Sequence, residues 1–457
     1  MDKKNSGQLI IHIGTPKTGT SAIQRFLYEN NNVLKGGGWC YPDLVADMEA
    51  KGIAFPIDEG EKCKNGVVGY KFVKGCKGHC IDTKCEEWEI YCGLLISYLQ
   101  NYNVILSEES IWWWNTVDFL SQLKKVFPNI KIIVYLRRQD RYIESDWNQR
   151  VKRYAYNSLN FKENVAQRQN DSIFNYLKKL REIEDILGIE NMIVRVYEKA
   201  QYMGIKGDIC SDFLYALGIP VDEGKCRFVQ PQNESLTGNY LEIKKQLNRL
   251  IAGKKGRFIN TIENEFLAYA KSNNSSSVRG VGGYFEVEER KEVLDHYADD
   301  NEVIARRYLH REDGILFYDN NMNIPKDVPD YNTIFQDTMR VMDIVINNFY
   351  KEERYLLIMK HCGEKKLALF GAGINCRRLI ESYQFPVHII IDNSKEKSGM
   401  TIKDKMVIWS GFVKDWKNYF IIITVQFPEQ IIEQLELYGL KKGKDFISAK
   451  EYGIIDK

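Results

Sequence analysis

The sequence predicts an α/β protein with a mainly parallel sheet in its N-terminal half and a second region of the same kind near its C-terminus. Apolar, strand-like runs at Leu9–Ile13, Val104–Leu106, Ile130–Leu136 and Met192–Val196 are separated by helical patterns. Such alternation is typical of parallel strands covered by helices, which bind ligands beyond the carboxyl ends of the strands. Strand–helix alternation restarts after His361.

Length and composition indicate a soluble, globular chain of two or three domains. The 457 residues are 44% hydrophobic and 28% charged, which is enough for a substantial core. The 64 Lys and Arg residues are nearly balanced by 62 Asp and Glu residues. The chain therefore has no large overall positive charge that would favour binding to nucleic acid or to an anionic membrane. The sequence shows no signal-peptide pattern and no apolar run of membrane-spanning length, so we expect a cytoplasmic protein without membrane insertion.

Five of the ten cysteines fall within Cys63–Cys92. The spacing Cys76-x3-Cys80-x4-Cys85 lacks the paired Cys-x2-Cys knuckles that usually shape a tetrahedral zinc site. We therefore expect free thiols and no metal.

The first strand ends in a turn that is rich in glycine and hydroxyl residues, and a helical pattern follows it. Gly14 and Gly19 have the spacing of a Walker A loop, but Thr20 stands where that loop needs a lysine, and Lys17 lies inside the turn. Backbone N–H groups and a helix N-terminus at such a turn suit a phosphate. The candidate anion-binding residues are Pro16, Lys17, Thr18, Gly19, Thr20 and Ser21.

A second candidate anion site follows the third predicted strand. Arg137 ends that strand, and Ser145 lies eight residues later, in a helix predicted to begin near Gln139 or Asp140. An arginine offers a charged fork, and a serine two turns into the helix adds a hydroxyl to the same anion. Solvated surface arginines are the alternative. The position on the same sheet edge as Lys17 favours a second phosphate clamp.

Together these two segments resemble the PAPS-dependent sulfotransferase family. The segment "PKTGTSAIQ" matches that family's loop for the 5′-phosphosulfate, and "RRQDRYIESDWNQ" matches its Arg-x7-Ser element for the 3′-phosphate. Weaker echoes extend the resemblance over about Leu9 to Tyr318, and they look like bacterial relatives of the carbohydrate sulfotransferases. The resemblance implies a P-loop-like parallel sheet that carries a sulfotransferase site.

The resemblance also implies the chemistry. PAPS would be the donor substrate and 3′,5′-ADP the product, with an acceptor hydroxyl attacking in line and no metal. Lys17 would neutralise the charge that grows on the bridging oxygen. We expect the acceptor to be a carbohydrate, such as a surface polysaccharide or a glycan precursor. The alternative acceptor is a sterol or another small hydroxylated molecule.

The acceptor hydroxyl must lose its proton to a base. By resemblance, Glu108 is the first choice, because it follows the second predicted strand at the active edge of the sheet. Glu109 is its rival, and His79 is the remaining candidate. A surface or capping carboxylate is the alternative interpretation.

The C-terminal region carries Gly371-x-Gly373, Cys376 at the third position of a Rossmann fingerprint, and Asp392 where a ribose-binding acid would lie. It resembles the small Rossmann-like modules attached to bacterial surface-polysaccharide enzymes. A structural or homo-oligomerising role ranks ahead of nucleotide or nucleotide-sugar binding, because one glycine fingerprint is often a false positive. An NAD-dependent oxidoreductase would also require this region to be catalytic, with a proton donor beside the glycine fingerprint.

These patterns predict three segments along the chain. A sulfotransferase domain would occupy 1–325, with a P-loop-like α/β core over 8–220 and a mostly helical part over 230–325. A helical linker would follow over 326–361, and the small Rossmann-like α/β domain would occupy 362–457.

Overall fold

A computed structural model describes residues 7–53, 86–113, 116–153, 159–168, 170–228, 235–253, 257–273 and 283–455. The chain divides into two compact units. The first unit comprises Met1–Ala252 and Asn273–Asp330, and the second comprises Gly253–Ser272 and Tyr331–Lys457. The domain limits at 325 and 361 stay predictions.

The first unit is built on a five-stranded parallel sheet with the strand order β2-β3-β1-β4-β5. Its strands are β1 (Leu9–Gly14), β2 (Trp39–Cys40), β3 (Asn103–Ser107), β4 (Ile130–Leu136) and β5 (Met192–Val196). The four predicted strands are confirmed. The central strand β1 is wholly buried, whereas the edge strand β5 contains Arg195 and is partly buried. The two residues of β2 are too few to give a pattern. The central strand β1 lies between β3 and β4, so the turn after it lies at the middle of the sheet edge.

Helices cover this sheet and extend the first unit. In chain order they are α1 (Thr20–Glu29), α2 (Asn31–Gly36), α3 (Leu44–Ala50), α4 (Glu86–Leu99), α5 (Ser110–Trp113), α6 (Thr116–Val126), α7 (Gln139–Arg153), α8 (Phe161–Arg168), α9 (Tyr176–Leu187), α10 (Ile209–Leu217), α11 (Gly238–Ile251), α13 (Val287–His296) and α14 (Ala298–Leu309). The start of α7 at Gln139 is as predicted. One helical pattern from Val287 to Leu309 is two helices, with Tyr297 between them.

Buried ion pairs hold the start of α7 in place. The fully buried Arg290 contacts the carboxylates of Asp140 and Glu144, with 2.6 Å between its Nη2 and Glu144 Oε1. Arg138 donates from Nε to Asp140 Oδ1 over 2.7 Å. Burial alone would raise the pKa of Asp140, but the two guanidinium groups hold it below its ordinary value. Arg138 therefore stabilises the start of α7 through its ion pair with Asp140. Removing one partner of such a buried pair lowers the free energy of unfolding by about 3–5 kcal/mol.

The second unit contains a six-stranded sheet with the order β11-β10-β6-β7-β9-β8, parallel except for the β8–β9 pair. Its strands are β6 (Lys366–Phe370), β7 (Val387–Asp392), β8 (Thr401–Ile402), β9 (Lys405–Trp409), β10 (Tyr419–Ile423) and β11 (Phe446–Ser448). Its helices are α12 (Arg257–Asn273), α15 (Ile334–Cys362), α16 (Ile374–Tyr383) and α17 (Glu429–Leu437). The sheet is apolar on both faces. A Rossmann-like identity for this unit stays a prediction.

Among the described helices, none combines the length and the apolar character that crossing a membrane requires.

Candidate active site

The turn between β1 and α1 is fixed by close contacts and internal hydrogen bonds. A Cβ at Gly14 would overlap the side chain of Thr20, so this position needs glycine. Gly19 has φ 78°, in the left-handed region that favours glycine, and it caps α1. Thr15 donates its hydroxyl to Tyr135 O over 2.6 Å, and Thr18 donates to Thr15 O over 2.5 Å. The turn is therefore tied to β4 and to itself.

Lys17 projects from this turn towards helix α7. Its backbone has φ 70°, and its Nζ donates to Gln149 Oε1 over 3.1 Å. Burial lowers the pKa of Lys17 to about 8, and the nearby charge of Arg137 adds to this effect. The carboxylate of Glu109 acts in the opposite direction and raises the pKa. The amine is thus partly desolvated and lies in a field that is mainly positive, which suits the binding of an anion.

Arg137 connects the two predicted anion-binding segments. Its Nη1 donates to the backbone carbonyl of Lys17 over 2.8 Å, although 120 residues separate them. Its guanidinium carbon lies 5.6 Å from the centre of the Tyr197 ring, and Tyr176 donates its hydroxyl to the Arg137 carbonyl over 2.7 Å. Both segments therefore meet at the carboxyl edge of the sheet.

Arg137 also lines an open cleft of about 660 Å³. Its other charged and aromatic lining residues are the cations Arg138, Arg141 and Lys199, the carboxylates Glu198 and Asp319, and the tyrosines Tyr197 and Tyr318. Cations and tyrosine rings together suit a ligand that carries both phosphate and a planar ring.

The hydroxyl residues of the prediction fall into different environments. Thr20 Oγ1 is buried and has no hydrogen-bond partner among the described residues. Ser145 is buried on α7, two turns after Arg137, whereas Ser21 is exposed. The hydroxyl proton of Thr18 is already used within the turn and is not available to an incoming anion. Pro16 is buried and shapes the turn.

Two adjacent carboxylates follow β3. Glu108 is only 5% exposed, and its backbone N–H donates to His12 O over 3.1 Å. Glu109 is half-buried, its carbonyl accepts from Trp112 N, and its charge acts on Lys17. His79 lies outside the described residues.

The structure adds two residues that the sequence reasoning missed. Gln149 lies four residues after Ser145 on the same face of α7, so helical spacing alone could have identified it. Tyr197 follows β5 and stacks on Arg137, and its backbone N–H donates to Leu136 O over 2.7 Å. That contact depends on the neighbouring positions of β4 and β5, which no local pattern reveals.

The described part of the chain has no cluster of three or more possible metal ligands. Cys92 is a buried free thiol whose pKa is raised by burial to about 12. The rest of the predicted cysteine cluster, Cys63–Cys85, lies outside the described residues.

At the glycine turn of the second unit, polar groups of the protein form hydrogen bonds with one another. Asp392 accepts from the backbone N–H groups of Ala372 (2.7 Å) and Ser394 (2.9 Å) and from Lys397 Nζ (3.0 Å). Thr424 donates its hydroxyl to Gly371 O over 2.7 Å. The acid predicted for a ribose is thus occupied by protein donors.

Comparisons with known proteins give weak similarities. The sequence matches no protein-family model. An uncharacterized protein of Archaeoglobus fulgidus is 25% identical over 315 residues, which covers 66% of this chain and 82% of that protein. A crystal structure of a sulfotransferase from Alicyclobacillus acidocaldarius aligns over 50% of this chain and 88% of that chain, with 15% identity and a TM-score of 0.31. None of these similarities assigns the chain to a family.

Proposed function

We propose that this protein is a PAPS-dependent sulfotransferase that transfers a sulfuryl group to an acceptor hydroxyl. The observation that carries the proposal is the hydrogen bond from Arg137 to the Lys17 carbonyl. It joins the turn that resembles a phosphosulfate loop to the arginine that resembles a 3′-phosphate clamp. One nucleotide with phosphate groups on both the 3′ and the 5′ oxygen of its ribose would bind both segments.

The turn and α7 would hold the two ends of the donor. Backbone N–H groups at the start of α1 suit the 5′-phosphosulfate, as does the buried hydroxyl of Thr20, which has no partner in the described part of the chain. Arg137 and Ser145 suit the 3′-phosphate, and the Tyr197 ring offers a flat surface beside the same guanidinium. Gln149 holds the amine of Lys17 over the turn.

Transfer would proceed by in-line displacement. The acceptor oxygen forms a bond to the sulfuryl sulfur while the bond from that sulfur to the bridging phosphate oxygen breaks. The bridging oxygen gains negative charge as 3′,5′-ADP leaves, and the protonated Lys17 stabilises it. The proton of the acceptor hydroxyl passes to a carboxylate base.

Two observations support Glu109 over Glu108 as that base. Glu109 is half-buried and its charge acts on Lys17, so it borders the region where the reaction would occur. Glu108 is buried at the end of β3, with little surface for an acceptor to reach. A base must come within hydrogen-bond reach of the proton that it removes.

We propose a carbohydrate as the acceptor. The support is the resemblance to bacterial carbohydrate sulfotransferases and the second unit, whose glycine turn resembles modules of polysaccharide enzymes. A sterol or another small hydroxylated molecule is the alternative, and only acceptor assays distinguish the two.

Ligand-dependent thermal stabilisation tests the donor. A ligand that binds the folded state raises the melting temperature. We expect PAPS and 3′,5′-ADP to raise it at concentrations where ATP and NAD(H) do not, and we expect Arg137→Ala to reduce the shift. Isotopically labelled PAPS incubated with glycan and sterol acceptors would then identify the product. Equal stabilisation by ATP, or none by PAPS, would contradict the proposal.

A further inference from the structure

The long helix α15 has two apolar faces. It spans 29 residues and is therefore roughly 43 Å long. One face is buried within the second unit through Val341, Val345 and Ile358. On the same face, Asn348 Nδ2 donates to Glu265 Oε2 of α12 over 2.7 Å. This face is the inner surface of the helix.

A neighbouring face, about 100° around the helix from the inner surface, carries a regular apolar stripe. Its residues, here called the heptad face, are Phe335, Met339, Met342, Ile346, Phe349 and Leu356. The steps from Phe335 to Phe349 are four, three, four and three residues. Phe335 is 71% exposed and Leu356 is 59% exposed, and the side chains between them are exposed or partly exposed. At 3.6 residues per turn these positions form one stripe along the helix, beside the inner surface.

We propose that the heptad face is the contact between two copies of this chain. Alternating steps of four and three residues are the pattern by which one helix packs its side chains into the gaps of a second helix. A two-fold pair presents the same surface from both chains, so one self-complementary stripe is sufficient. The proposal does not depend on the sulfotransferase chemistry.

The size of the stripe agrees with a dimer contact. Six large apolar side chains, of which five are exposed and Met342 is partly buried, offer on the order of 600 Å² of apolar surface per chain. A stable complex buries about 800 Å² per partner, including the polar rim. Glu353 continues the stripe between Phe349 and Leu356 and is exposed. One polar residue inside such a seam lowers the stability of the pair.

Sedimentation equilibrium of the full chain tests the proposal. Over about 1–100 µM, we expect the wild-type protein to approach twice its chain mass of 53.3 kDa. Ile346→Glu places a carboxylate in the seam and should weaken dimerisation by at least about 100-fold. Leu250→Glu, at an exposed leucine of α11 in the first unit, is the matched control and should leave dimerisation unchanged.

A second variant excludes misfolding as an explanation. Glu353→Leu removes the charge from the seam and should tighten dimerisation by about tenfold, a gain that an unfolded protein cannot produce. A wild-type protein that stays monomeric at the highest concentration would overturn the proposal. A dimer whose dissociation constant is unchanged by Ile346→Glu and Glu353→Leu would also overturn it.

Discussion

The protein contains two glycine turns in equivalent places, and they differ in what their polar groups do. Each turn follows an inner strand of a parallel sheet and leads into a helix, α1 in the first unit and α16 in the second. In the first turn, the amine of Lys17 is partly desolvated beside Arg137, and a buried hydroxyl on Thr20 has no partner among the described residues. In the second turn, Asp392 accepts from Ala372 N and Lys397 Nζ.

The difference shows why a glycine fingerprint alone does not define a ligand site. Both turns satisfy the backbone requirement for close approach, since Gly14 and Gly371 each lack space for a side chain. Only the first places a partly desolvated lysine beside an arginine, and that arginine, Arg137, also lines a cleft. In the second, a carboxylate neutralises the nearest lysine. An anion is therefore expected at the Lys17 turn.

The largest expected effect comes from Lys17→Ala. The charge on the bridging oxygen appears mainly in the transition state, so the rate of transfer should fall by about 10³-fold or more while the fold is kept. The measurement is turnover of labelled PAPS, with circular dichroism to check folding.

The matched control for this change is Lys397→Ala, the lysine beside the other glycine turn. Its turnover should equal that of the wild-type protein. Near wild-type turnover in Lys17→Ala, or loss of turnover in Lys397→Ala, would contradict the assignment of the reaction to the first turn.

The next effect concerns the base. Glu109→Gln keeps the size of the side chain but removes its basicity, so turnover should fall by about 10²-fold or more with little change in PAPS affinity. Glu108→Gln is the neighbouring control and should have the milder effect. If Glu108→Gln abolishes turnover and Glu109→Gln does not, the buried carboxylate is the base and the exposure argument fails.

The pH dependence should show the lowered pKa of Lys17. That pKa is about 8, so the amine is protonated below pH 8 and loses its charge above it. Since transfer needs the charged form, kcat/KM should decrease about tenfold per pH unit above pH 8.

Lys17→Arg is the control for this decrease at high pH. Because a guanidinium stays charged, kcat/KM of this variant should stay constant over the same pH range. Wild-type activity that is constant up to pH 10 would show that the charge of Lys17 is not required.

Much of the fold was predictable because buried parallel strands are apolar on both faces. The strands from Leu9 and Ile130 were predicted to within a residue at each end for this reason. The edge strand from Met192 was predicted as closely, although it is partly buried and contains Arg195. The strand at Trp39 has two residues, so it carries no periodicity. The break at Tyr297 was not predicted either, because the apolar spacing continues through it.

Site residues could be predicted only where a short sequence motif contains them. The candidates Lys17 and Arg137 come from motif segments, and the structure brings both to one sheet edge. Tyr197 joins them through the pairing of two strands that are distant in sequence. The choice between Glu108 and Glu109 depends on burial, which differs between adjacent residues for reasons that lie in the tertiary packing.

The most direct test of the two-segment anion site is calorimetric titration of 3′,5′-ADP into the wild-type protein, Arg137→Ala and Lys397→Ala. We expect the wild-type protein and Lys397→Ala to bind with the same affinity, and Arg137→Ala to lose roughly 2–5 kcal/mol of binding free energy because the phosphate loses its charged partner. An unchanged affinity in Arg137→Ala, or a weakened one in Lys397→Ala, would contradict the assignment of the nucleotide to the first unit.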